Sequence, residues 1–382
     1  MYRTLIRPLL FKIPVETTHN MTVGALRLVG WMPGGRWLLG LFFTRRHTSL
    51  EREVFGMKFA NPVGLAAGFD KNAECYREIG ALGFGFVEIG TVTPKAQPGN
   101  PKPRVFRLPK DNGLINRMGL NNDGMDSAAH NLRKKRGSLI VGANLGKNTL
   151  TPNENAAADY LKVFRRLYQY ADYFVINVSC PNVINMTALQ NKDNIREIVT
   201  SLLEFRRGQN QYRPILLKIS PDLGPGQTDD MIDVVKEYSL DGIVATNTTT
   251  SREGLVSDPS VVDKIGRGGL SGAPLTGRAL EMVRYIYEKT GGAFPIIGSG
   301  GVMTSEDAKN MLDAGATLVQ VYTGMIYQGP AVAKKICRHF RHSRQAAATS
   351  TVPSTPSIPF ASGESGLSAT ETPETPEVPS AT

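Results

Sequence analysis

The chain has 382 residues, 41% of them hydrophobic, and a formal charge of +10. This length allows one large core together with appended segments. The three cysteines, Cys75, Cys180 and Cys337, are unclustered and odd in number, which argues against a disulfide framework and against a zinc site. A reducing cytoplasm is therefore the expected compartment, and no metal ion is predicted.

The basic excess is concentrated at the N-terminus. Residues 1–50 contain seven Arg or Lys side chains and one acid, Glu16, which gives this segment a charge of +6. A nucleic-acid footprint would instead spread along a groove with interleaved aromatic residues. Nucleic acid is therefore not an expected partner.

The same N-terminal segment, 1–50, is also apolar, with Trp31 and the run WLLGLFF at 37–43. No stretch approaches the ~20 apolar residues of a spanning helix, and no signal-peptide cleavage site follows a single apolar core. Basic amphipathic helices that carry tryptophan lie in membrane interfaces. The alternative is a helical cap on the surface of the protein itself, and the sequence leaves both open.

Eight short apolar runs, bounded by Gly or Pro and ending at Asn, Lys, Thr or Gly, predict buried strands. They are 62–71, 85–91, 139–146, 173–182, 215–220, 242–249, 295–301 and 318–324. Helical patterns lie between them, for example at 154–170, 227–239, 277–290 and 305–314. Strands buried on both faces are parallel and covered by helices. Eight such units predict an α/β fold, a closed (β/α)8 TIM barrel whose active site lies at the carboxyl ends of the strands.

The C-terminal end differs in composition from the barrel. Residues 342–382 are rich in Ser, Thr, Pro and Ala, and such a segment buries too little apolar surface to offset its ordering entropy. A disordered tail is predicted there. The expected organisation is therefore a helical segment over 1–50, the barrel over 51–341 and the tail over 342–382.

Polar residues collect at the predicted strand ends. The glycine-rich turns at 298–301 (GSGG) and 322–325 (YTGM) follow strands seven and eight, where barrels of this kind bind phosphate. Amides of fixed geometry can bind a planar heterocycle, and a lysine can neutralise a carboxylate or a reduced flavin. The further candidates are Lys71, Thr91, Asn116, Asn144, Asn177, Asn182, Lys218, Thr246, Asn247 and Thr248. One such Asn ordinarily caps a helix, but this many on one face predict an enzyme.

Cys180 follows the fourth predicted strand in the string SCPN. A lone cysteine usually behaves as a small hydrophobe. Since none of the five histidines lies at a predicted strand end, proton abstraction at the mouth would have to use a thiol, a hydroxyl, a carboxylate or a lysine.

Ten strings, in their order and spacing, resemble the dihydroorotate dehydrogenase family over roughly residues 50–341. They are AAGFDKN (66–72), EIGTVTPKAQPGNPKPRVFRL (88–108), GLINRMGLNN (113–122), NLGKN (144–148), INVSCPN (176–182), LKISPD (217–222), ATNTT (245–249), GGLSGAPL (268–275), GSGG (298–301) and YTG (322–324). The N-terminal segment is similar to that of the quinone-dependent, membrane-associated branch.

The resemblance implies oxidation of (S)-dihydroorotate to orotate in de novo pyrimidine biosynthesis, with FMN as the hydride acceptor. It places FMN at Ala67, Gly68, Thr91, Asn144, Asn177, Lys218, Thr246, Gly272, Gly301, Tyr322 and Thr323. It places the substrate at Lys71, Asn116, Arg117, Met118, Gly119, Leu120, Asn177, Asn182, Asn247 and Thr248. The base that removes the substrate proton is implied at Cys180.

The resemblance further implies that ubiquinone or menaquinone reoxidises FMN, entering between the N-terminal helices along His19, Arg107 and Tyr322. The expected location is then peripheral, at an anionic membrane surface on the cytoplasmic face of the cell membrane. One position departs from this branch: serine is usual at the base position, and cysteine is typical of the branch that uses fumarate or NAD. The N-terminal segment and the strings INRMG and NLGKN favour quinone.

Three alternatives stay open at this point. The same FMN chemistry could reduce a soluble acceptor, fumarate or NAD. A barrel without flavin could serve as a binding protein at a membrane surface. A related flavin barrel could act on pyrimidines in RNA, although the basic excess lies in the N-terminal segment and not around the mouth.

Overall fold

The computed structural model describes residues 2–44, 47–134, 136–179 and 192–350, with the backbone alone for 344–350. A compact unit extends to Ser343, and a second unit begins at Arg344. The predicted tail begins at 342, but residues 342–350 continue the helix that starts at Val332. The rest of the predicted tail, from 351 onward, lies outside the described residues.

The strands within the described residues form a closed barrel and two small sheets. In chain order they are β1 Arg52–Val54, β2 Met57–Phe59, β3 Val63–Leu65, β4 Phe86–Val92, β5 Val105–Leu108, β6 Gly113–Asn116, β7 Ile140–Leu145, β8 Tyr173–Asn177, β9 Ile215–Ile219, β10 Gly242–Ala245, β11 Gly269–Gly272, β12 Ile296–Ser299 and β13 Leu318–Val321. The barrel has the order β10-β12-β13-β3-β4-β7-β8-β9. Its parallel strands coincide with the eight predicted runs, so the predicted TIM barrel is confirmed.

The α-helices of the described residues surround this barrel and precede it. They are α1 Arg7–Phe11, α2 Val15–Trp31, α3 Gly35–Phe43, α4 Tyr76–Ala81, α5 Gly124–Leu132, α6 Ala156–Leu167, α7 Lys192–Arg207, α8 Pro225–Glu237, α9 Pro259–Ile265, α10 Thr276–Thr290, α11 Ser305–Asp313, α12 Thr323–Gln328 and α13 Val332–Ser350. The four helical patterns named from the sequence correspond to α6, α8, α10 and α11.

The barrel strands are apolar because both of their faces are covered. Every residue of β4, β7, β8 and β9 is buried, as expected for parallel strands between a packed interior and a layer of helices. Large rings in that interior pack against glycines, Phe86 against Gly64 and Tyr173 against Gly142. A Cβ atom on Gly142 would lie 2.1 Å from Cζ of Tyr173, so glycine is required where that ring packs.

The antiparallel sheet β11-β6-β5 lies outside the barrel and was not predicted. Asn116 at the end of β6 pairs with Gly269 of β11 and with Val105 of β5. Strands β6 and β11 of this sheet contribute residues to the barrel mouth. Strand β5 contributes Arg107, which contacts the N-terminal segment. The sheet therefore connects the mouth to the N-terminal helices.

Two arginines of the barrel unit hold the N-terminal helices in place. Arg104 donates to both carboxylate oxygens of Glu16 on α2, at 2.6 and 3.2 Å. Arg107 donates to the carbonyl oxygen of Ile13 at 2.7 Å and lies over the Phe11 ring. One face of α2 thus packs on the protein, and Leu39 and Phe43 of α3 pack against the core, as the cap hypothesis requires.

The opposite face of the N-terminal helices is exposed and apolar. Trp31 is 82% exposed, Trp37 70% and Leu41 62%, which is unusual for aromatic and aliphatic side chains of this size. Within the described residues, no helix has both the length and the apolar character needed to cross a membrane. The segment therefore carries a packed face and an unpartnered apolar face together.

Candidate functional site

A cleft opens at the carboxyl ends of the barrel strands, between the strand ends and the outer sheet. The strand register places Asn177 of β8 beside Lys218 of β9 at its floor. Most of the residues predicted from the sequence line it: Ala67, Gly68, Lys71, Thr91, Asn116, Met118, Gly119, Leu120, Asn177, Lys218, Thr246, Asn247, Thr248, Gly272, Gly301, Tyr322 and Thr323. The structure thus brings together residues that are far apart in the chain.

Four predicted residues are not among those lining the cleft. Asn144 is fully buried beneath it, within hydrogen-bonding distance of Thr91. The guanidinium of Arg117 is directed elsewhere, because it donates to the Ile265 carbonyl and lies over the Phe106 ring. Cys180 and Asn182 lie outside the described residues.

The amide side chains at the floor of the cleft form a connected network. Thr91 Oγ1 donates to Asn144 Oδ1 at 2.5 Å, and Asn177 Nδ2 donates to the same oxygen at 3.0 Å. Asn247 Nδ2 in turn donates to Asn177 Oδ1 at 3.2 Å and to Ser179 Oγ at 3.0 Å. Because each amide is oriented by its neighbour, the network presents a fixed set of donors and acceptors.

An ion pair lies within this floor. The ammonium nitrogen of Lys218 is 3.9 Å from Glu88 Oε1, and both side chains are buried. Glu88 also accepts hydrogen bonds from Asn144 at 2.8 Å and from Gln320 at 2.6 Å. The carboxylate therefore has three partners, Lys218, Asn144 and Gln320, as a buried charge requires.

The cleft holds polar atoms that lack a partner within the protein. Among the described residues, Thr248 Oγ1 and Gln320 Oε1 are buried and make no hydrogen bond, although both residues line the cleft. A Cβ atom on Gly301 would lie 2.2 Å from Cα of Thr276, so only glycine fits where this turn meets the start of α10. The Thr276 hydroxyl donates to the Gly301 carbonyl at 2.9 Å, and Gly300 and Gly301 line the cleft. Unpaired polar atoms and a glycine-rich turn fit a polar ligand with a planar ring and a phosphate.

A second cavity, the apolar tunnel, lies between the N-terminal helices and the barrel unit, with a free volume of about 380 Å³. Its walls are mainly aliphatic and aromatic, with Leu10, Leu26, Val29, Phe43, Leu82 and Ile326 among them. It shares Lys71, Asn116, Met118, Ser271 and Tyr322 with the cleft. An apolar molecule in the tunnel would therefore lie next to a polar ligand in the cleft.

The three predicted tunnel residues, His19, Arg107 and Tyr322, all line this cavity. The His19 ring packs edge-on against Phe69, with 5.0 Å between centroids. Burial and the charge of Lys71 lower the pKa of His19 to about 4, so this imidazole is neutral near pH 7. Burial raises the pKa of Tyr322 to about 12, so its hydroxyl keeps its proton.

Lys71 is the ionisable group at the junction of the cleft and the tunnel. Burial and the charge of Arg104 lower its pKa to about 8, although Glu16 and Asp70 act in the opposite direction. Burial raises the pKa of the neighbouring Asp70 to about 6. The hydrogen bonds that its carboxylate accepts from the backbone N–H groups of Cys75 and Glu74 act in the opposite direction and lower the pKa. Lys71 is therefore a cation at pH 7 that loses its proton only slightly above that value.

Sequence reasoning missed several polar residues of the site. Glu88 lies inside the apolar run GFVEIGT and Gln320 inside LVQVYTG. A charged or amide side chain in a strand buried on both faces is itself a signal, because it requires buried partners. Ser179 and Ser271 gave no comparable signal, since serine is common in loops and at strand ends.

The barrel unit matches a family of known proteins over its whole length. The family model described as dihydroorotate dehydrogenase matches residues 49–343. The chain belongs to this family. A relative from Christiangramia forsetii named dihydroorotate dehydrogenase (quinone) is 50% identical over 336 residues, which cover 88% of this chain and 97% of the relative. A relative of the same name from Gloeobacter violaceus is 47% identical, with 88% and 92% covered.

Solved structures of the family have the same fold. The ligand-free DHODH of Eimeria tenella matches with a TM-score of 0.78 at 38% identity, covering 86% of this chain and 94% of that chain. A DHODH from Eimeria tenella in complex with ferulenol gives a TM-score of 0.76 at 36% identity, with 87% and 92% covered. The family resemblance read from the ten strings is confirmed.

Proposed function

We propose that this protein oxidises (S)-dihydroorotate to orotate in pyrimidine biosynthesis, with FMN bound in the cleft and a membrane quinone as the electron acceptor. The observation that carries this proposal is that the polar cleft and the apolar tunnel adjoin each other and share Lys71 and Tyr322. A polar substrate and an apolar acceptor can then use one cofactor from two sides. The alternatives without a flavin, or with RNA as substrate, do not account for this pairing.

FMN fits the donor set of the cleft. The glycine-rich turn at Gly300 and Gly301 and the turn at Tyr322 and Thr323 suit its phosphate, and the floor around Asn177 and Lys218 suits the edge of its ring system. When bound, FMN would take the hydride from the substrate and pass two electrons to the quinone. Lys218 would stabilise the negative charge of the reduced form.

Dihydroorotate would lie between Lys71 and the amide network at the floor of the cleft. Lys71 supplies a cation for the substrate carboxylate, while Asn177 and Asn247 are already oriented by hydrogen bonds to bind the pyrimidine ring. The base would be Cys180, whose thiolate takes the proton from C5 as the hydride leaves C6. Asn116 and Thr248 complete the polar wall.

The quinone would enter through the apolar tunnel. Neutral His19 and the half-buried Arg107 supply polar atoms in a mainly apolar passage, where a quinone oxygen can accept a hydrogen bond. The exposed apolar face with Trp31, Trp37 and Leu41 would rest on the cytoplasmic face of the cell membrane. Quinone could then pass from the bilayer into the tunnel without crossing water.

A steady-state assay tests the proposal directly. The purified, FMN-loaded chain is given dihydroorotate, and orotate formation is followed with a soluble ubiquinone analogue, with a menaquinone analogue, with fumarate or with NAD. Turnover with a quinone and none with fumarate or NAD is expected. Turnover with fumarate or NAD alone would establish the soluble-acceptor alternative, and absence of orotate with every acceptor would refute the proposed reaction.

A further inference from the structure

A third cavity lies on the outside of the barrel, beside α3, and the proposed function leaves it without a role. This basic cleft has a free volume of about 780 Å³ and lies where β4 and β7 begin, lined by Gly85 and Leu139 among others. Three arginines line it: Arg36 of α3, Arg77 of α4 and Arg136. Among the described residues that form its wall there is no Asp or Glu.

The charges around the basic cleft do not cancel. The buried Glu78 has two arginine neighbours, Arg36 at 3.3 Å and Arg77 at 4.0 Å. In the same way Asp172 has two, Arg136 at 2.6 Å and Arg213 at 3.6 Å. Arg213 is not part of the wall, so Asp172 offsets Arg136 there, whereas Arg36 and Arg77 share the single carboxylate of Glu78. Three arginines against two carboxylates leave an excess of one positive charge at the wall, and this charge is suited to an anion.

Two adjacent features indicate what kind of anion. Trp37 and Leu41, both lining the basic cleft, belong to the exposed apolar face of α3. On the other side, Arg136 ends the basic run 133–136 (RKKR), in which Arg133 and Lys134 are exposed. A phosphate bound to the arginines would therefore have apolar side chains beside it and further cations around it.

We propose that the basic cleft binds the headgroup phosphate of an anionic phospholipid, with the acyl chains lying along Trp37 and Leu41. Basic pockets next to apolar, membrane-facing surface are the sites at which proteins select anionic lipid. The barrel itself would then contribute to membrane binding, and not the N-terminal segment alone. This inference rests on the membrane association included in the proposed function.

The pairing of the arginines provides suitable variants. Arg77→Gln leaves Glu78 paired with Arg36 at 3.3 Å, and Arg136→Gln leaves Asp172 with Arg213 at 3.6 Å, so neither variant strands a buried carboxylate. Arg77→Lys keeps the charge at its position. The matched control is Arg284→Gln on α10, which packs on β10 and β12 across the barrel from β4 and β7.

The experiment is sedimentation of the full-length, FMN-loaded chain with vesicles of phosphatidylcholine, alone or mixed with phosphatidylglycerol. Wild type should bind the mixed vesicles. Arg77→Gln and Arg136→Gln should each bind them about fivefold more weakly, the factor that one cation near an anionic surface contributes. Arg77→Lys and Arg284→Gln should bind like wild type. Melting temperatures confirm that each variant is folded.

Two outcomes would overturn the inference, and they are distinguishable from failure of the proposed function. If wild type binds the mixed vesicles and the two arginine variants bind as tightly as Arg284→Gln, the basic cleft is not the lipid site. If inorganic phosphate at matched ionic strength competes as well as short-chain phosphatidylglycerol, lipid is not the preferred occupant. Dihydroorotate oxidation with a soluble dye, measured in parallel, tests the reaction independently of either result.

Discussion

Lys218 and Glu88 form a buried ion pair beneath the cleft, with Nζ 3.9 Å from Oε1 and side-chain exposures of 7% and 0%. Asn144 and Gln320 complete the shell of the carboxylate. The charge that a cofactor meets at this position is therefore that of the pair, and not of the lysine alone. Changing either partner should move the redox potential of the bound flavin, in opposite directions.

Glu88→Gln should raise the midpoint potential of bound FMN, because the lysine charge is then uncompensated and stabilises the reduced, negative form. Lys218→Met should lower it and slow flavin reduction by dihydroorotate. If a variant changes the stabilisation of reduced flavin relative to oxidised flavin by about 1.4 kcal/mol, the midpoint potential of this two-electron couple shifts by about 30 mV. Potentiometric titration measures the midpoint potential of each single variant. The double variant is the control, and its potential should stay near that of wild type. Unchanged potentials in both single variants would remove the pair from this role.

Substrate binding should weaken as the pH rises through about 8, the value to which burial and Arg104 lower the pKa of Lys71. Below that pH the ammonium is charged and can pair with the substrate carboxylate; above it the amine is neutral. The KM for dihydroorotate, measured as a function of pH, should rise there. Lys71→Met should have a high KM that lacks this dependence. A wild-type KM that stays constant to pH 9 would contradict the assignment.

Cys180→Ala should reduce the rate of flavin reduction by on the order of 10²-fold or more, since a general base contributes about that factor. The FMN content should not change. Cys180→Ser should retain some activity with its optimum at higher pH, because a hydroxyl loses its proton at a far higher pH than a thiol with a pKa of ~8.5. Stopped-flow absorbance follows the reduction. Reduction of the alanine variant at the wild-type rate would exclude the thiol as the base.

Deletion of residues 1–43 should separate the two halves of the reaction. Flavin reduction by dihydroorotate should persist, because the cleft is built from strand ends and the outer sheet. Reoxidation by a long-chain quinone should be lost, since α2 and α3 form one wall of the tunnel. Retained FMN is the control for folding. A loaded truncation that turns over with quinone at the full rate would refute the tunnel assignment.

Glu16→Gln should loosen the N-terminal helices and destabilise the protein by about 2 kcal/mol, the range for hydrogen bonds between charged groups. Burial raises the pKa of Glu16, but Arg104 and Lys102 outweigh it and lower the pKa below 4.5 in the folded state. The stabilisation is therefore present above pH 4.5 and is lost as the pH falls through the folded pKa.

Thermal melting of wild type and the Glu16 variant should thus converge in acid. The control is Lys102→Gln. The Lys102 side chain is 66% exposed, and its ammonium nitrogen lies 3.6 Å from the same carboxylate. Its replacement should therefore change the free energy of unfolding by less than about 1 kcal/mol. A constant difference in melting temperature down to pH 3 would show that the pair with Arg104 does not carry the effect.

The barrel could be predicted from the sequence because its signals are local. A strand such as β7 or β9 is apolar except for one polar residue next to its carboxyl end, Asn144 or Lys218, so the pattern of 139–146 or 215–220 reports burial and position at once. The strings that identify the family are local in the same sense, since most of them span a strand end and the loop that follows it. Topology then requires those ends to meet at one face.

Tertiary structure decided what depends on residues far apart in the chain. The sheet β11-β6-β5 joins segments some 150 residues apart, and short strands of this kind, outside the barrel, have no distinctive pattern. The pairing of Lys218 with Glu88, the direction of the Arg117 side chain and the connection of the cleft to the tunnel all follow from packing.

The N-terminal segment shows most directly which properties the sequence determines and which the tertiary structure decides. By itself the sequence determined that residues 1–50 are basic, apolar and too interrupted to span a bilayer. It could not choose between a cap and a membrane-facing surface, because composition does not specify which face of a helix is covered. The hydrogen bonds from Arg104 to Glu16 and from Arg107 to Ile13 fix one face against the protein. The other face, with Trp31 and Trp37, stays exposed.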